Sequence, residues 1–254
     1  MSEIFDRLGE GAGEPVSAAE LVAQAGISAG SPGPGSKRPR IVAAMIASAD
    51  GRAAVEGRAG GLGGPPDRAV FRELRCSVDA LLIGPTTLIE EQYSTVLDGD
   101  HRQRRAAAGL PESPIAVCIS RRLDPRIEQL EIFAQAGQRI VIYTESQEPI
   151  EARGAELTVT RSAPGTTTLA ACVEDLRLNH GVGTLLSEGG PTQLHALTEA
   201  GLVDDYIFTL SPLLVAGTAP SVLGGEVFDP PVKLDLRAVW RSGGFLFLHY
   251  TPLD

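Results

Sequence analysis

One junction in the sequence joins a short apolar run to an amphipathic segment through Glu188, Gly189 and Gly190, within LLSEGGPTQLHAL. Glycine has no Cβ, so backbone N–H groups there can approach a ligand, and a following helix adds its positive end. Phosphate oxygens are a natural partner for such a site. A Gly-Gly pair by itself is more often a tight turn, so the functional interpretation needs support from other junctions.

Two further junctions have the same strand-then-helix character. They are LLIGPTTLIEEQY and VCISRRLDP, and their polar or flexible residues are Gly84, Thr86, Thr87, Ser120 and Arg121. Threonines there can simply cap a helix, and arginines in a turn are usually solvated, but hydroxyl and guanidinium groups also bind phosphate. Because the carboxyl ends of parallel strands share one rim, the three junctions together predict a phosphate-binding edge. Neither GxGxxG nor a P-loop lysine is present, which argues against a standard Rossmann or nucleotidase loop.

A possible substrate side follows the first long apolar run. Asp50-Gly51 ends that run, and a carboxylate at a sheet rim can accept hydrogen bonds from the amino and ring N–H groups of a heterocycle. Arg75 lies near the end of the next helical segment and can pair with an anionic group. Asp-Gly is also an ordinary turn dipeptide, and arginines at helix ends are usually solvated, so neither residue is decisive alone.

The composition limits the classes of protein to consider. The chain has 254 residues, a formal charge of −10 and 43% apolar residues, which is enough for a substantial core. No run approaches the ~20 apolar residues of a membrane span, and no signal peptide is visible, so we expect a cytoplasmic protein without a membrane partner. The acidic balance argues against broad nucleic-acid binding. Three dispersed cysteines without a CxxC pair predict neither a disulfide framework nor a metal site.

The elements that would position these residues alternate between strand and helix. Strands are predicted over residues 40–48, 79–84, 114–120, 138–144, 156–160 and 183–188. Several are almost continuously apolar, as expected of strands covered on both faces. Helical patterns begin after Pro65-Pro66, run through TTTLAACVEDLRLNHG, and start again at Pro191. The pattern favours an α/β fold with a largely parallel central sheet.

The two ends of the chain differ from this pattern. Near the C-terminus DDYIFTLSP, LDLRAVW and FLFLHYT read as antiparallel edge strands, the last two joined by a hairpin at RSGG. Residues 1–39 look like a peripheral extension. It contains a possible short helix over 17–27, with Ser17 and Glu20 forming a capping box, and then a Pro/Gly/Ser linker. We therefore predict one domain over residues 40–254.

Taken in order, SADGRAA, LRCSVDALLIGPTTLIEE, ISRRLD and LLSEGGPTQLHALTEAGLVDDYIFTLSPLLVAG resemble the bacterial riboflavin-biosynthesis reductase family. The resemblance covers most of residues 40–254 and implies a dihydrofolate-reductase-like fold. It also implies NADPH-dependent reduction of 5-amino-6-(5-phosphoribosylamino)uracil to its ribitylamino product, and a homodimer. The deaminase signatures HxE and PCxxC are absent, so the deaminase half of the bifunctional family members is not expected in this sequence.

The resemblance assigns residues to two ligands. For NADPH it implies Gly84, Thr86, Thr87, Glu91, Ser120, Arg121, Gly189, Gly190, Pro191, Thr192 and Gln193. For the substrate it implies Asp50, Arg75 and Glu188, of which Asp50 and Glu188 would be catalytic. The family's Asp-Asp/Asn-Pro motif and following arginine are replaced here by Glu90-Glu91-Gln92-Tyr93, with no arginine before Arg102. The substrate phosphate would then need another partner, and Arg102, Arg104 and Arg105 are candidates.

Two alternatives remain open at this point. The chain could reduce another pyrimidine or a pterin such as dihydrofolate, because a shared fold does not fix the substrate. It could also be a nucleotide-binding module without catalysis, given the altered substrate motif. Turnover measured with both kinds of substrate distinguishes the first alternative, and retained NADPH binding without turnover would support the second.

Overall fold

The structure is a computed structural model that describes residues 3–9, 12–30, 36–55, 57 and 59–253. Its centre is a mixed sheet of ten strands in the order β1-β9-β10-β8-β2-β7-β3-β4-β5-β6. The strands are β1 (Asp6–Leu8), β2 (Arg40–Ser48), β3 (Ala80–Leu82), β4 (Ile115–Ser120), β5 (Arg139–Thr144), β6 (Glu156–Arg161), β7 (Thr184–Ser187), β8 (Asp205–Ser211), β9 (Leu234–Ser242) and β10 (Phe245–Pro252).

The strands from β8 to β6 along this order are parallel to one another, whereas β1, β9, β10 and β8 pair antiparallel. The hairpin between β9 and β10 pairs Phe245 with Ser242 and encloses the predicted glycine turn. The expected fold class, α/β with a largely parallel sheet and antiparallel C-terminal strands, is therefore confirmed.

Helices cover both faces of the sheet. They are α1 (Ala18–Gln24), α2 (Pro65–Cys76), α3 (Pro85–Glu90), α4 (Gly99–Ala107), α5 (Leu169–His180) and α6 (Pro191–Glu199). One core cluster contains residues of α1, α2 and α3, and a second contains residues of α5 and α6. Strand β2 contributes Val42 and Ala44 to the first cluster and Ile41, Ala43 and Met45 to the second, which explains its uninterrupted apolar sequence.

The N-terminal extension is part of this core where it is described. Phe5 is fully buried and packs edge-on against Phe247 at 5.2 Å between ring centroids. Ser17 and Glu20 form the predicted capping box of α1. Strand β1, which precedes α1, pairs with β9 at the sheet edge. The described part of residues 1–39 therefore packs against the rest of the domain and is not the peripheral extension that the sequence predicts. The linker residues 31–35 lie outside the described part of the chain.

Two elements were absent from the sequence-based prediction. Helix α4 has the sequence GDHRQRRAA, and Arg105 is its buried residue, so no apolar periodicity marks it. Strand β1 is three residues long and its burial comes from the sheet edge that it joins. Within the described residues, no helix is long and apolar enough to cross a membrane.

Candidate active site

A cavity of about 520 Å³ opens beside the carboxyl ends of β2 and β7. Helix α2 forms one wall with Asp67, Phe71 and Arg75, which are spaced four residues apart and therefore share one helix face. The other lining residues come from the end of β2, the glycine-rich segment before α2, the segment from α3 to residue 95, and the junction after β7. Of the residues implied for the substrate, Arg75 and Glu188 line this cavity.

Arg75, Glu188 and Tyr93 form a closed cluster in the cavity wall. Arg75 Nε and Nη2 donate to the two Glu188 carboxylate oxygens at 2.6 and 2.5 Å, and the Tyr93 hydroxyl donates to Glu188 Oε2 at 2.8 Å. Arg75 Nη2 also donates to the Tyr93 hydroxyl at 3.0 Å. Burial, followed by the Glu188 charge, raises the pKa of Tyr93 well above its ordinary value, so the phenol stays protonated. Both oxygens of the Glu188 carboxylate thus accept hydrogen bonds within the cluster, which holds the carboxylate in one orientation.

Asp67 is a second carboxyl group in the same wall, and it is only 7% exposed. It is the third residue of α2, after Pro65 and Pro66, and its Oδ1 is buried without a hydrogen-bond partner. Burial raises the pKa of Asp67 to about 6, and the Glu188 charge acts in the same direction. The Thr209 hydroxyl opposes this shift. Asp67 is therefore poised to change its protonation state near neutral pH.

The junctions after β3 and β7, at which a phosphate-binding edge is predicted, lie next to each other because the two strands pair side by side. Gly84 N–H donates to the Gly189 carbonyl at 3.3 Å, and a Cβ on Gly84 would lie 3.1 Å from Gln193 Oε1. A Cβ on Gly189, whose φ is +75°, would overlap Met45 Sδ, so glycine is required there. The Gly189–Gly190 peptide is cis. Thr87 Oγ1 lies 3.6 Å from where a Gly190 Cβ would stand.

Two groups at this edge have unused donor capacity. Gln193 Nε2 is buried without a hydrogen-bond partner, and the N-cap residue of α6, Gly190, provides no side-chain cap. The first backbone N–H groups of a helix have no partner within the helix, so Thr192 and Gln193 add further donors. This donor set fits the oxygens of a pyrophosphate.

The remaining residues implied for NADPH lie around this edge. Thr87, Glu91, Gly190 and Pro191 line the cavity. Thr86 and Thr192 are exposed on the first turns of α3 and α6. Neither threonine of α3 caps the helix, because Gly84 is the N-cap residue and no side chain caps it. Ser120 ends β4, the strand next to β3, and its hydroxyl donates to the Arg122 carbonyl, while Arg121 is exposed beside it.

Asp50 does not join the cavity lining. Its carboxylate is exposed and accepts hydrogen bonds from the Ser48 hydroxyl at 2.5 Å and from the Val215 and Ala216 N–H groups at 3.0 and 2.8 Å. These donors, the Ser48 hydroxyl most strongly, lower the pKa of Asp50 to about 2. The geometry makes Asp50 an anchor of the segment after β8. A contact with a substrate ring stays a prediction.

The three arginines considered for the substrate phosphate are engaged elsewhere. Arg102 donates to Gln135, Arg104 forms an ion pair with Glu73, and the buried Arg105 donates to backbone carbonyls. None of the three lines the cavity. The structure does not support these candidates, because α4, which carries all three, packs against α2 and contributes no residue to the cavity lining.

Several cavity residues were missed by sequence reasoning. They are Asp67, Arg68, Phe71, Arg72 and Tyr93. The four on α2 lie three, four, seven and eight residues before Arg75, so they share its helix face. Helical periodicity extended back from Arg75 therefore predicts them. Tyr93 had no such signal, because its role depends on the fold bringing residue 188 within hydrogen-bond distance. Among the described residues, no group of three or more His, Cys, Asp and Glu side chains could hold a metal ion.

Comparison with known proteins places this geometry in a family. Residues 39–247 match the RibD C-terminal domain. The chain belongs to the RibD C-terminal domain family. The resemblance seen in the sequence is thereby confirmed over these residues.

Two curated relatives of this RibD C-terminal domain are archaeal proteins. Each is named 2,5-diamino-6-ribosylamino-4(3H)-pyrimidinone 5′-phosphate reductase. The protein of Methanothermobacter thermautotrophicus is 26% identical over an alignment of 226 positions, and the match covers 84% of this chain and 98% of the relative. The protein of Archaeoglobus fulgidus is 27% identical over an alignment of 205 positions, and the match covers 78% of this chain and 92% of the relative.

A solved structure with the same fold is a pyrimidine reductase-like protein from Corynebacterium diphtheriae. It has a TM-score of 0.71 and 22% sequence identity, and the match covers 85% of this chain and 92% of that chain. The similarity supports the arrangement of the sheet and its flanking helices in this RibD C-terminal domain.

Proposed function

We propose that this protein is a reductase of riboflavin biosynthesis that converts a ribosylaminopyrimidine 5′-phosphate into its ribitylamino product with NADPH as reductant. The observation that carries the proposal is the cavity itself. It places the Arg75–Glu188–Tyr93 cluster next to the glycine edge formed by Gly84 and Gly190. A cavity that carries a few charged groups and adjoins a proposed pyrophosphate-binding edge suits a reaction between a small heterocycle and a dinucleotide.

Two pyrimidines are candidate substrates, and they differ at ring position 2. The sequence resemblance implied 5-amino-6-(5-phosphoribosylamino)uracil, which has an oxygen there. The curated relatives are named for the 2,5-diamino pyrimidinone, which has an amino group. Both present the same ribosylamino group and 5′-phosphate, so the reaction at the sugar is common to them. The proposal therefore covers the class, and the assay below separates its members.

The reductant side of the proposal depends on the loop residues. Gln193 Nε2, the backbone donors at the start of α6 and the close approach of Gly84 to Gly189 would hold the pyrophosphate. Ser120 and Arg121, at the end of the strand next to β3, would hold the 2′-phosphate that distinguishes NADPH from NADH. When bound, the reduced nicotinamide supplies a hydride to the sugar carbon, and the protein positions that carbon.

The substrate phosphate would lie against α2. Arg68 and Arg72 both line the cavity, and among the described residues the ion pair of Arg72 is a long one, 3.8 Å to the half-exposed Asp98. Two guanidinium groups one helical turn apart can contact the oxygens of one phosphate. They replace the arginines of α4 as the proposed phosphate ligands.

The deciding experiment is a steady-state assay of NADPH consumption with each pyrimidine 5′-phosphate, with dihydrofolate in parallel. Turnover of either pyrimidine, with loss of turnover in Arg75→Met, supports the proposal. An Arg237→Met variant is the matched control, because that exposed arginine pairs, among the described residues, with the partly exposed Asp235. Turnover of dihydrofolate alone would transfer the proposal to pterins. NADPH binding without any turnover would leave a nucleotide-binding module.

We also propose that the protein acts in the cytoplasm as a homodimer. The three cysteines Cys76, Cys118 and Cys172 are buried and free, which suits a reducing compartment. Large apolar side chains remain on the surface at Leu214, which is 82% exposed, and Val227, which is 86% exposed. A dimer interface over such residues would cover them. Sedimentation velocity across a concentration series measures the association.

A further inference from the structure

Two carboxyl groups face the same cavity but differ in what they can do. Both oxygens of Glu188 accept hydrogen bonds from Arg75, and one also accepts from Tyr93. Asp67 has no ion pair among the described residues, and its Oδ1 has no hydrogen-bond partner. Hydrogen bonds therefore fix the Glu188 carboxylate in place. The position of the Asp67 carboxyl group follows from its place on α2 and from the packing that buries it.

The surroundings of Asp67 favour the protonated carboxyl group. Desolvation raises its pKa to about 6, and the Glu188 charge acts in the same direction. Thr209 from β8, and Arg68 and Arg75 from the same helix, act in the opposite direction. A buried acid with this balance carries a proton below pH 6 and can release it to a basic atom placed in the cavity.

We propose that Asp67 is the proton donor of the reaction, and this inference rests on the proposed function. The nitrogen lone pair of the ribosylamine forms a double bond to the sugar carbon C1′ as the bond from C1′ to the ring oxygen O4′ breaks. The Asp67 proton goes to O4′, which leaves a carboxylate on Asp67 and a cationic imine on the substrate. A hydride from the reduced nicotinamide dinucleotide then adds to C1′ and gives the neutral ribityl amine. Asp67 regains its proton from water.

The alternative is that Asp67 has a structural role only. As the third residue of α2, its negative form would favour the positive end of the helix. That role requires the carboxylate of Asp67 to be ionised and solvated, whereas its burial disfavours the ionised form. A donor role explains why the side chain lines the cavity with one oxygen unpaired.

The test is the pH dependence of kcat from pH 5 to 9 for the wild-type protein and Asp67→Asn, with the better pyrimidine 5′-phosphate and NADPH. The amide cannot donate a proton, so we expect kcat at pH 6 to fall about 100-fold or more. Wild-type kcat should decrease as pH rises through the Asp67 pKa, because the acid form is needed, and the variant should lack that decrease. Glu73→Gln is the control, since Glu73 lies on the same helix but pairs with Arg104 and His101 outside the cavity.

Three further measurements add readouts beyond the turnover of Asp67→Asn. Carbon-13 NMR of aspartate-labelled wild-type protein should show one carboxyl group titrating near pH 6. In Thr209→Val, which removes the opposing hydroxyl, that titration and the decrease in kcat should both move to higher pH. Calorimetry with the ribitylamino product should show that Asp67→Asn still binds it.

Three results would overturn the inference. One is a kcat for Asp67→Asn within about threefold of wild type with the same pH profile. Another is a change confined to KM, which would make Asp67 a binding contact. The third is the absence of any aspartate titrating between pH 5 and 7. If the wild-type protein reduces neither pyrimidine, the proposed function itself fails, and that outcome is visible before any variant is measured.

Discussion

Arg75 and Glu188 form a two-pronged ion pair in which Arg75 Nε and Nη2 lie 2.6 and 2.5 Å from the two oxygens of Glu188. The pair connects α2 to the residue after β7, and the Glu188 side chain is only 3% exposed. Because Tyr93 donates to the same carboxylate, three separate segments of the chain meet at one negative charge. The cavity wall therefore depends on an electrostatic contact between segments far apart in sequence.

Replacing Glu188 with Gln should lower the free energy of unfolding by about 3 kcal/mol, because it leaves the mostly buried Arg75 guanidinium without a counter-charge. Urea denaturation at pH 7 measures the change. Asp235→Asn breaks the exposed pair with Arg237 and should cost less than about 1 kcal/mol. Equal losses in the two variants would contradict a special contribution of the buried pair.

Asp67 should make stability depend on pH in the direction opposite to an ordinary ion-paired carboxylate. Its pKa is raised from 3.8 to about 6 in the folded protein, so its favourable contribution is complete below pH 3.8 and is lost as pH rises through 6. Relative to wild type, Asp67→Asn should gain up to about 3 kcal/mol of stability between pH 4 and 7. Parallel urea titrations at pH 4, 5, 6 and 7 give the difference. A constant offset between the two proteins would show that the Asp67 pKa is ordinary.

Asp50→Asn should lower turnover while cofactor binding is kept. An amide has one acceptor oxygen, so it cannot serve both the Val215 and Ala216 N–H groups as the carboxylate does. Misplacement of that segment beside the cavity should reduce kcat/KM about tenfold or more. Steady-state kinetics and NADPH calorimetry separate the two effects. Unchanged rates would remove Asp50 from the mechanism.

Arg121→Ala should weaken binding of NADPH at least about tenfold more than binding of NADH, because a charge-assisted contact to the 2′-phosphate would be lost. Arg122→Ala is the matched control, since Arg122 is also exposed and stands one position further along the chain. Fluorescence titration with each dinucleotide gives the two dissociation constants. Equal weakening of both dinucleotides would argue against a 2′-phosphate site at Ser120 and Arg121.

Gln193→Leu should have opposite effects on stability and on binding. Removing a buried donor without a partner should raise the free energy of unfolding of the ligand-free protein by about 1 kcal/mol. The same change should weaken NADPH binding about tenfold, because a pyrophosphate contact is lost. Thermal unfolding with and without NADPH reports both quantities. A loss of stability without ligand would mean that Gln193 supports the apoprotein instead.

The sequence predicts the parallel core well, because both faces of its strands are buried. Strand β2 begins and ends at the predicted residues, Arg40 and Ser48, since nothing polar interrupts it. Helix α4 escapes prediction because its packing uses the polar groups of Arg104 and Arg105 in place of an apolar stripe. Periodicity of apolar residues carries no information about such a helix.

The site was predictable in part. The fold brings Arg75 and Glu188 to one cavity, as the resemblance implied. The Asp50 carboxylate instead accepts hydrogen bonds from the backbone of the segment after β8, a contact that no local sequence pattern predicts. Asp67 follows two prolines at a helix start, where an acidic residue usually faces solvent. Its burial depends on the tertiary packing of Thr209 and Glu188 around it, which the order of residues along the chain does not contain.

Strand β1 and Phe5 have a consequence for any shortened form of this protein. β1 occupies the hydrogen-bonding groups of β9, and Phe5 covers Phe247 beneath it. A polypeptide starting at Arg40 would keep every proposed ligand contact. It would leave β9 as an unpaired edge strand, with the Phe247 ring uncovered nearby. Unpaired edge strands recruit strands from other molecules, so we expect β1 and Phe5 to limit self-association of the protein.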